Sequence, residues 1–454
     1  MAGFDEDPAV AAARIPAHEP AVHYSKPYIR YVIGVLTVVY VFNFVDRQIL
    51  SILMQPIKEE MQLSDTALGF LSGISFALFY ATLGIPIARL ADRSSRVTII
   101  SISLALWSFM TALCGLAQNF WQLLAARTLV AVGEAGSGPS SHSLIADYVP
   151  LETRSSALAI YSTGIPIGLL FGFLIGGFLE DIYGWRVAFM AVGVPGVVLA
   201  VIVRLTLREP RRGHADGNFQ GTDAVQPKLR EVVQTLWKRK SFRHLAVGVG
   251  VQAIAGYGVV QWVPSFLHRS YQMSSSEIGL ALAIIIGIGG AIGTASGGYI
   301  ADHLARRDIR WQLWVAVLGA GVAAPFSFGI YLSDTAFATL AWFVFPVIVS
   351  NAYLGPAYAM TQALAPIRMR AMAAAILLFI GSLIGLGLGP QLVGILSDLL
   401  YPSYAEESLR YALLIVSMAY FWAAAHYWWA SKTLRQDLAI NKDEPALKIA
   451  MPDK

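Results

Sequence analysis

The sequence predicts an all-α membrane protein with twelve transmembrane helices in two pseudo-symmetric six-helix bundles. Apolar residues make up 56% of the 454 residues and charged residues only 14%, whereas soluble domains usually carry about 25% charged residues. Apolar runs of roughly 18–25 residues, each long enough to span a bilayer, recur along the chain. The two halves of the chain also repeat similar motifs in the same order. These observations define the expected fold class.

The predicted helices follow from the apolar runs. They occupy residues 29–54, 65–89, 97–117, 121–147, 155–180, 186–207, 242–268, 277–301, 311–332, 337–362, 371–398 and 408–431. Glycine and proline are frequent within them, as in other membrane helices. Only helices and closed barrels satisfy their backbone in lipid, and these runs lack the alternating pattern of barrel strands.

Positive charge sets the expected orientation. Most of the 33 Lys and Arg residues lie in the terminal segments and in the connections on one side of the predicted helices. By the positive-inside rule that side is cytoplasmic, so both termini are expected in the cytoplasm and the protein in the plasma or inner membrane. The net charge of +4 therefore indicates a bilayer surface as the partner and no nucleic acid.

The chain is expected to divide into five segments. They are a disordered tail at 1–28, a first bundle at 29–207, a linker at 208–241, a second bundle at 242–431 and a tail at 432–454. Apolar residues recur at helical spacing among basic residues in the linker, which predicts an amphipathic helix on the inner membrane surface. These residues are Leu229, Val232, Val233, Leu236 and Trp237.

Composition and motif content argue against several other classes. The single cysteine, Cys114, allows no disulfide framework and no multi-cysteine metal site within the chain. The glycine-rich stretches lie inside apolar helices and lack the Gly-Lys-Ser/Thr of a nucleotide site. No paired nucleophile and base of an intramembrane hydrolase is evident, and no repeated filter of a channel. We expect no cofactor, no metal and no enzymatic activity.

The internal repeat is clearest at two connections. ARLADRSSR at 88–96 follows the second predicted helix, and GYIADHLARR at 298–307 follows the eighth. Arg154 and Arg370 lie in a second pair of similar connections. Parallel six-helix halves are typical of one large class of secondary transporters.

These motifs resemble the major facilitator superfamily over residues 29–431. The first connection is similar to that family's G-x-x-x-D-R-x-G-R signature, with Ala88 and Ser95 in place of its two glycines. The second copy keeps Gly298 and Asp302. The resemblance implies transport by alternating access. Charged residues at the cytoplasmic helix ends either only set the positive-inside topology or, as we expect, latch the halves together through ion pairs and helix-end dipoles. Those residues are Asp92, Arg93, Arg96, Arg154, Asp302 and Arg306.

Finer features resemble the spinster-like branch, which includes lysolipid and sphingolipid exporters. They are NFVDRQIL (43–50), RTLVAVGEAGSGPSSHSLIADY (127–148), VVQWVPSFLHRSYQMSSSEIG (259–279) and GPAYAMTQALAPIRMRA (355–371). Polar groups among aromatic residues in the second half suit an amphipathic ligand, so we expect a substrate cavity there. The candidate residues are Tyr257, Gln261, Trp262, Asn351, Tyr353, Tyr358 and Gln362.

Charges inside the predicted helices carry the functional hypothesis. Asp46, Arg47, Arg127 and Glu134 would together cost roughly 10 kcal/mol if they faced lipid, so they are expected to face the interior. Asp46 and Arg127 lie at similar depth, which predicts an ion pair that protonation can break. Glu134 is a second proton-site candidate, and Arg47 is expected to contact a neighbouring helix. The alternative is a purely structural ion pair.

The leading hypothesis is a monomeric secondary transporter, coupled to protons, for an amphipathic small molecule, with a lipid-like molecule as one candidate. An uncoupled facilitator of the same fold is the alternative within transport. A lipid scramblase or membrane-embedded enzyme is the alternative from a different class.

Overall fold

The computed structural model describes residues 24–216 and 228–443, and this part of the chain contains helices and connecting loops without β-strands. In the first half, α1 is Lys26–Met61 and α2 is Asp65–Ser72 continued by Ile74–Arg93. Helix α3 is Arg96–Cys114, and α4 is Phe120–Glu134 followed by Ser137–Tyr148. The residues from Leu151 to Thr206 form Leu151–Ser162 and Gly164–Thr206, and the second of these segments turns at Gly184 (φ 78°). Helix α5 is the part before Gly184, and α6 is the part after it.

The second half repeats this order. The helices are α7 (Lys240–Tyr271), α8 (Ser275–Leu282, the π-helical Ala283–Ile288 and Gly289–Ala305), α9 (Trp311–Tyr331), α10 (Ala336–Asn351 and Leu354–Ala363), α11 (Arg370–Ile380, the π-helical Gly381–Leu386 and Gly387–Tyr404) and α12 (Ser408–Ser417 and Ala419–Asp443). The described residues thus form the twelve-helix architecture that the sequence predicts.

Length and apolar character alone identify nine continuous helical stretches able to cross a membrane within the described residues. Leu151–Thr206 has 56 residues and Met372–Ile440 has 69, so each is long enough for two crossings. Helix α4 adds the remaining crossing, because its break after Glu134 divides it into segments of 15 and 12 residues. The count of twelve and the count of nine therefore describe the same architecture.

Local sequence explains where several helices begin. Ser64, Ser95 and Asn119 each accept a hydrogen bond from a backbone N–H in the first turn of the helix that follows, which satisfies a donor that has no partner within the helix. At the start of α8, Ser274 and Glu277 form a capping box. Loops between membrane helices can therefore be short without leaving backbone donors unpaired.

The linker and the last helix refine the expected segments. The linker contains the helix Leu229–Lys238, and its Val232 and Leu236 are buried in a core of the second half. Helix α12 continues to Asp443, so the segment 432–454 is helical over its first part. Most of the 1–28 tail and residues 217–227 of the linker lie outside the described residues.

The packing differs between the two ends of the bundle. We call the end that carries the connections 62–64 and 272–274 the distal end, and the opposite end, where the linker lies, the linker end. At the distal end one apolar core includes buried residues of both halves, among them Leu53 and Trp262. At the linker end each half has its own core. The halves are therefore joined at the distal end.

Close contact between the halves depends on glycine at the distal end. A Cβ atom at Gly177 of α5 would lie 2.1 Å from the Ser275 carbonyl oxygen, and one at Gly279 of α8 would lie 2.4 Å from the Phe173 carbonyl oxygen. No side chain fits at these distances, so the two helix backbones touch. The glycine-rich pattern of the fifth helix is in this way a requirement of the contact between the halves.

Candidate functional site

The centre of the first half holds a buried ion pair between α1 and α4. The Nε atom of Arg47 lies 2.5 Å from Oε2 of Glu134. The Glu134 side chain is fully buried, and that of Arg47 is 20% exposed. The Arg47 guanidinium also lies over the Tyr80 ring, 4.6 Å from its centroid. Arg47 therefore joins a buried carboxylate to an accessible surface.

Asp46 and Arg127 meet differently from the expectation. Nη1 of Arg127 donates to the backbone carbonyl oxygen of Asp46 at 3.2 Å, while both Asp46 carboxylate oxygens are buried without a hydrogen-bond partner in the described protein. The expected side-chain pair of Asp46 and Arg127 is thus wrong, and of the two predicted intramembrane acids it is Glu134 that pairs with an arginine. The physical reason is that consecutive residues point about 100° apart on a helix, so Arg47 faces α4 and the cavity while Asp46 points away.

The glycines around Glu134 set this geometry. A Cβ atom at Gly133 would lie 2.8 Å from the Trp107 backbone nitrogen of α3, so α4 can approach α3 only without a side chain there. The first segment of α4 ends at Glu134, and the second begins at Ser137. The VGEAGSGP sequence therefore combines a close helix contact with a helix break next to a buried acid.

A cavity of about 770 Å³ lies between the halves. Among the described residues, Arg47 is the one charged side chain that lines this cavity, and most of the other lining side chains are apolar. Of the candidates for a substrate cavity, four line it: Tyr257, Gln261, Asn351 and Tyr353. The sequence therefore predicted part of the cavity wall that the second half contributes.

Three other candidates lie elsewhere. Trp262 is fully buried and donates from Nε1 to the Pro390 carbonyl oxygen at 2.9 Å. Its side chain therefore points away from the cavity that its neighbour Gln261 lines. Tyr358 packs against the core of the second half at the linker end. Gln362, on the same helix segment, is exposed. None of these three belongs to the lining of the cavity.

The predicted linker-end residues contact partners mainly within their own half. Arg154 donates to the Ala146 carbonyl oxygen at 2.8 Å, and Asp302 accepts from Gln312 Nε2 at 2.7 Å. Arg93 and Arg306 are exposed. The side chain of Asp92 lies outside the described part of the structure, so its latch role stays a prediction.

Arg96 is the best-held residue of this group. It is 1% exposed, forms an ion pair with Asp147, and donates from Nε to Oε1 of Glu209 at 2.7 Å. Glu209 also accepts from the Val97 backbone N–H at 2.9 Å. Burial opposes the charge on Glu209, but the Val97 N–H and the Arg96 guanidinium outweigh it and lower the pKa of this carboxyl. This cluster fixes the segment after α6 to the first half.

Sequence reasoning missed the polar contacts that join the halves at the distal end. Two guanidinium nitrogens of Arg269 donate to the two carboxylate oxygens of Asp65, each at 2.7 Å, and the Arg269 Nε donates to Gln55 at 2.7 Å. The Ser397 hydroxyl donates to Asp65 as well, at 2.6 Å. In the sequence, the signals for this contact were an acid at the first position of α2, Asp65, and an arginine near the end of α7, Arg269.

The aromatic and amide residues around Arg47 were also missed. Asn43, one turn before Arg47 on α1, lies near the Glu134 carboxylate. The rings of Phe44 and Phe76 both lie 5.4 Å from the Arg47 guanidinium carbon. The i, i+4 spacing of Asn43 and Arg47 within NFVDRQIL places both on one helix face, and this spacing could have identified Asn43.

Known proteins are similar to this chain in sequence and in fold. The sequence model of the Major Facilitator Superfamily matches residues 36–390. An MFS-type efflux pump of Mycolicibacterium smegmatis is 35% identical over 408 residues, covering 89% of this chain and 93% of that protein. The sphingosine-1-phosphate transporter SPNS2 of Danio rerio is 26% identical over 416 residues, covering 84% of this chain and 80% of that protein.

A solved structure agrees with these relatives. The crystal structure of a bacterial homolog of the human lysosomal transporter Spinster, in an inward-facing and unoccupied conformation, matches with a TM-score of 0.84 at 33% identity, covering 91% of this chain and 99% of that one. The chain therefore belongs to the Major Facilitator Superfamily and, within it, to the spinster-like transporters.

Proposed function

We propose that this transporter couples the movement of an amphipathic small molecule to protons by alternating access. The observation that carries the proposal is the Arg47–Glu134 pair, in which a buried carboxylate is joined to a cavity-lining cation. A proton neutralises a carboxylate, whereas an arginine stays charged. Protonation of Glu134 therefore releases Arg47 toward the cavity.

The lining of the cavity supports an amphipathic cargo. Apolar and aromatic side chains form most of it, which suits a hydrocarbon portion, and Arg47 and Gln261 offer polar contacts for a headgroup. SPNS2 of Danio rerio carries a lipid in its name, and the M. smegmatis relative is named an efflux pump. We therefore propose a lipid-like amphiphile as the cargo.

The packing of the halves supports alternating access. The distal end is closed by apolar contacts and by Asp65 with Arg269, while the linker ends have separate cores. Two access states require the distal contacts to break and linker-end contacts to form. We place the linker end in the cytoplasm, because the basic connections lie there, and the protein in the plasma or inner membrane as a monomer.

Flux in proteoliposomes tests the proposal. Purified protein is reconstituted, and uptake of fluorescent lysolipids and of other amphiphiles is measured with and without an imposed pH gradient. Flux that rises with the gradient, disappears in Asp46→Asn and is weakened or abolished in Glu134→Gln supports proton coupling. Equal flux with and without the gradient indicates an uncoupled facilitator, and movement of ordinary phospholipid without any gradient indicates a scramblase.

A further inference from the structure

We propose that Trp107 and Thr111 of α3 form a donor pocket around Asp46 that makes this carboxylate a proton site and excludes a metal cation such as Na⁺. The inference rests on the proposed function and explains how the site discriminates between a proton and a metal cation. It also assigns positioning roles to two residues that no sequence motif indicated.

Asp46 is separated from the cavity. Its side chain is fully buried, and it is absent from the cavity lining, although its neighbour Arg47 belongs to that lining. Arg127 reaches only the Asp46 backbone. An ion bound at this carboxylate is therefore held inside the first half and outside the cavity lining.

Two donors of α3 face the Asp46 carboxylate. The side chains of Trp107 and Thr111 lie near it, and they are four residues apart, so they lie on one helix face. Both are fully buried, and the Trp107 Nε1 and the Thr111 Oγ1, like both Asp46 carboxylate oxygens, have no hydrogen-bond partner in the described protein. Buried donors in proteins are normally paired, and the carboxylate is the acceptor that this pocket offers them.

The charged and titratable groups nearby come from three helices. Arg127 and Glu134 of α4 act on the Asp46 carboxylate, as does Cys114 of α3. Arg47 of α1 is engaged by Glu134. Helix α5 packs closely against α1 through Gly168 and Gly172, which face Phe44 and Gln48.

The groups around the Asp46 carboxylate favour a proton over a metal cation. Hard metal cations need several oxygen ligands around them, but the indole of Trp107 can only donate and Arg127 brings a positive charge next to the site. A proton needs one carboxylate oxygen and leaves the other free to accept from a donor. The pocket therefore fits a carboxyl group that alternates between its ionised and protonated forms.

Thr111→Val tests the positioning role with little change in volume. Loss of a donor to the ionised carboxylate makes protonation easier, so the pH midpoint of gradient-driven flux should rise by about one unit while the maximal flux is retained. Trp107→Phe should shift the midpoint in the same direction. Ser108→Ala is the matched control, because the Ser108 hydroxyl faces Gly196 of the neighbouring α6, and its midpoint should stay at the wild-type value.

The outcomes separate this inference from the proposed function. An unchanged midpoint in folded Thr111→Val, or flux driven by a Na⁺ gradient at equal pH, overturns the donor pocket. If Trp107→Phe fails to fold, Thr111→Val alone decides. If Asp46→Asn keeps pH-driven flux, the proposed coupling through Asp46 fails as well, whereas loss of flux in Asp46→Asn with an unshifted Thr111→Val removes the donor pocket only.

Discussion

Asp181 and Asp398, at corresponding places in the two halves, each accept two backbone N–H groups from the first turn of a helix in the opposite half. Asp181 accepts from the Ser275 and Ser276 nitrogens at 2.9 and 2.8 Å. Asp398 accepts from the Asp65 and Thr66 nitrogens at 3.1 and 2.7 Å. First-turn N–H groups have no partner within their own helix and carry the positive end of its dipole. Each carboxylate therefore fastens one half to the other at the distal end.

Removing both charges should weaken the distal closure. Each of Asp181→Asn and Asp398→Asn is expected to cost the distal-closed state about 1 kcal/mol, so the double variant should populate a distal-open state more often. Distances between spin labels on distal loops of the two halves would report this as a longer component. Asp334→Asn is the control, because Asp334 is an exposed acid at the same end. A double variant with the wild-type distance distribution would contradict the role of both acids.

The Asp65–Arg269 pair should contribute more, because it is buried. The two side chains are 2% and 4% exposed, and removal of one partner of a buried pair typically costs about 3–5 kcal/mol. Arg269→Gln should therefore lower the thermal stability of the distal-closed protein clearly. Arg186→Gln breaks a pair with Glu60 that is 33% and 51% exposed, for which about 0–1 kcal/mol is expected. Equal losses in the two variants would show that burial does not set the strength of these pairs.

Twelve helices, the repeat of the halves and the identity of the buried charges could be predicted from the sequence, because each depends on composition or spacing. The partners of those charges could not. Asp46 and Arg47 are neighbours in the chain, and only the rotation of α1 against its neighbours decides that Arg47 meets Glu134 while Asp46 faces Trp107. The contact between Asp65 and Arg269 joins residues far apart in the chain, and no local pattern pairs them.

Glu209 should make stability depend on pH. Its pKa is lowered in the folded protein, with burial opposing the shift and the Val97 N–H and Arg96 producing it. A carboxyl with a lowered pKa contributes stability above its unfolded pKa, about 4.3, and this contribution is lost as the pH falls through the folded value. Glu209→Gln should cost about 2 kcal/mol at pH 7. Thermal melting of both proteins in detergent should show the difference shrinking in acid, and a constant difference down to pH 3 would contradict the assignment.

Proton coupling should depend on the two acids and two arginines in different ways. Asp46→Asn mimics a permanently neutral acid, so it should abolish pH-driven flux while the protein still folds, and Glu134→Gln should weaken or abolish that flux. Arg47→Ala should be the most damaging to stability, because it leaves the Glu134 carboxylate buried without its partner at 2.5 Å, a loss of about 3–5 kcal/mol. Arg127→Ala should cost less, because Arg127 donates to a backbone carbonyl oxygen of Asp46. The measurements are gradient-driven flux in liposomes and thermal melting of each variant. Wild-type flux in both Asp46→Asn and Glu134→Gln would rule out coupling through these acids. Greater destabilisation by Arg127→Ala than by Arg47→Ala would mean that Arg127 stabilises the buried carboxylates beyond its contact with the Asp46 backbone.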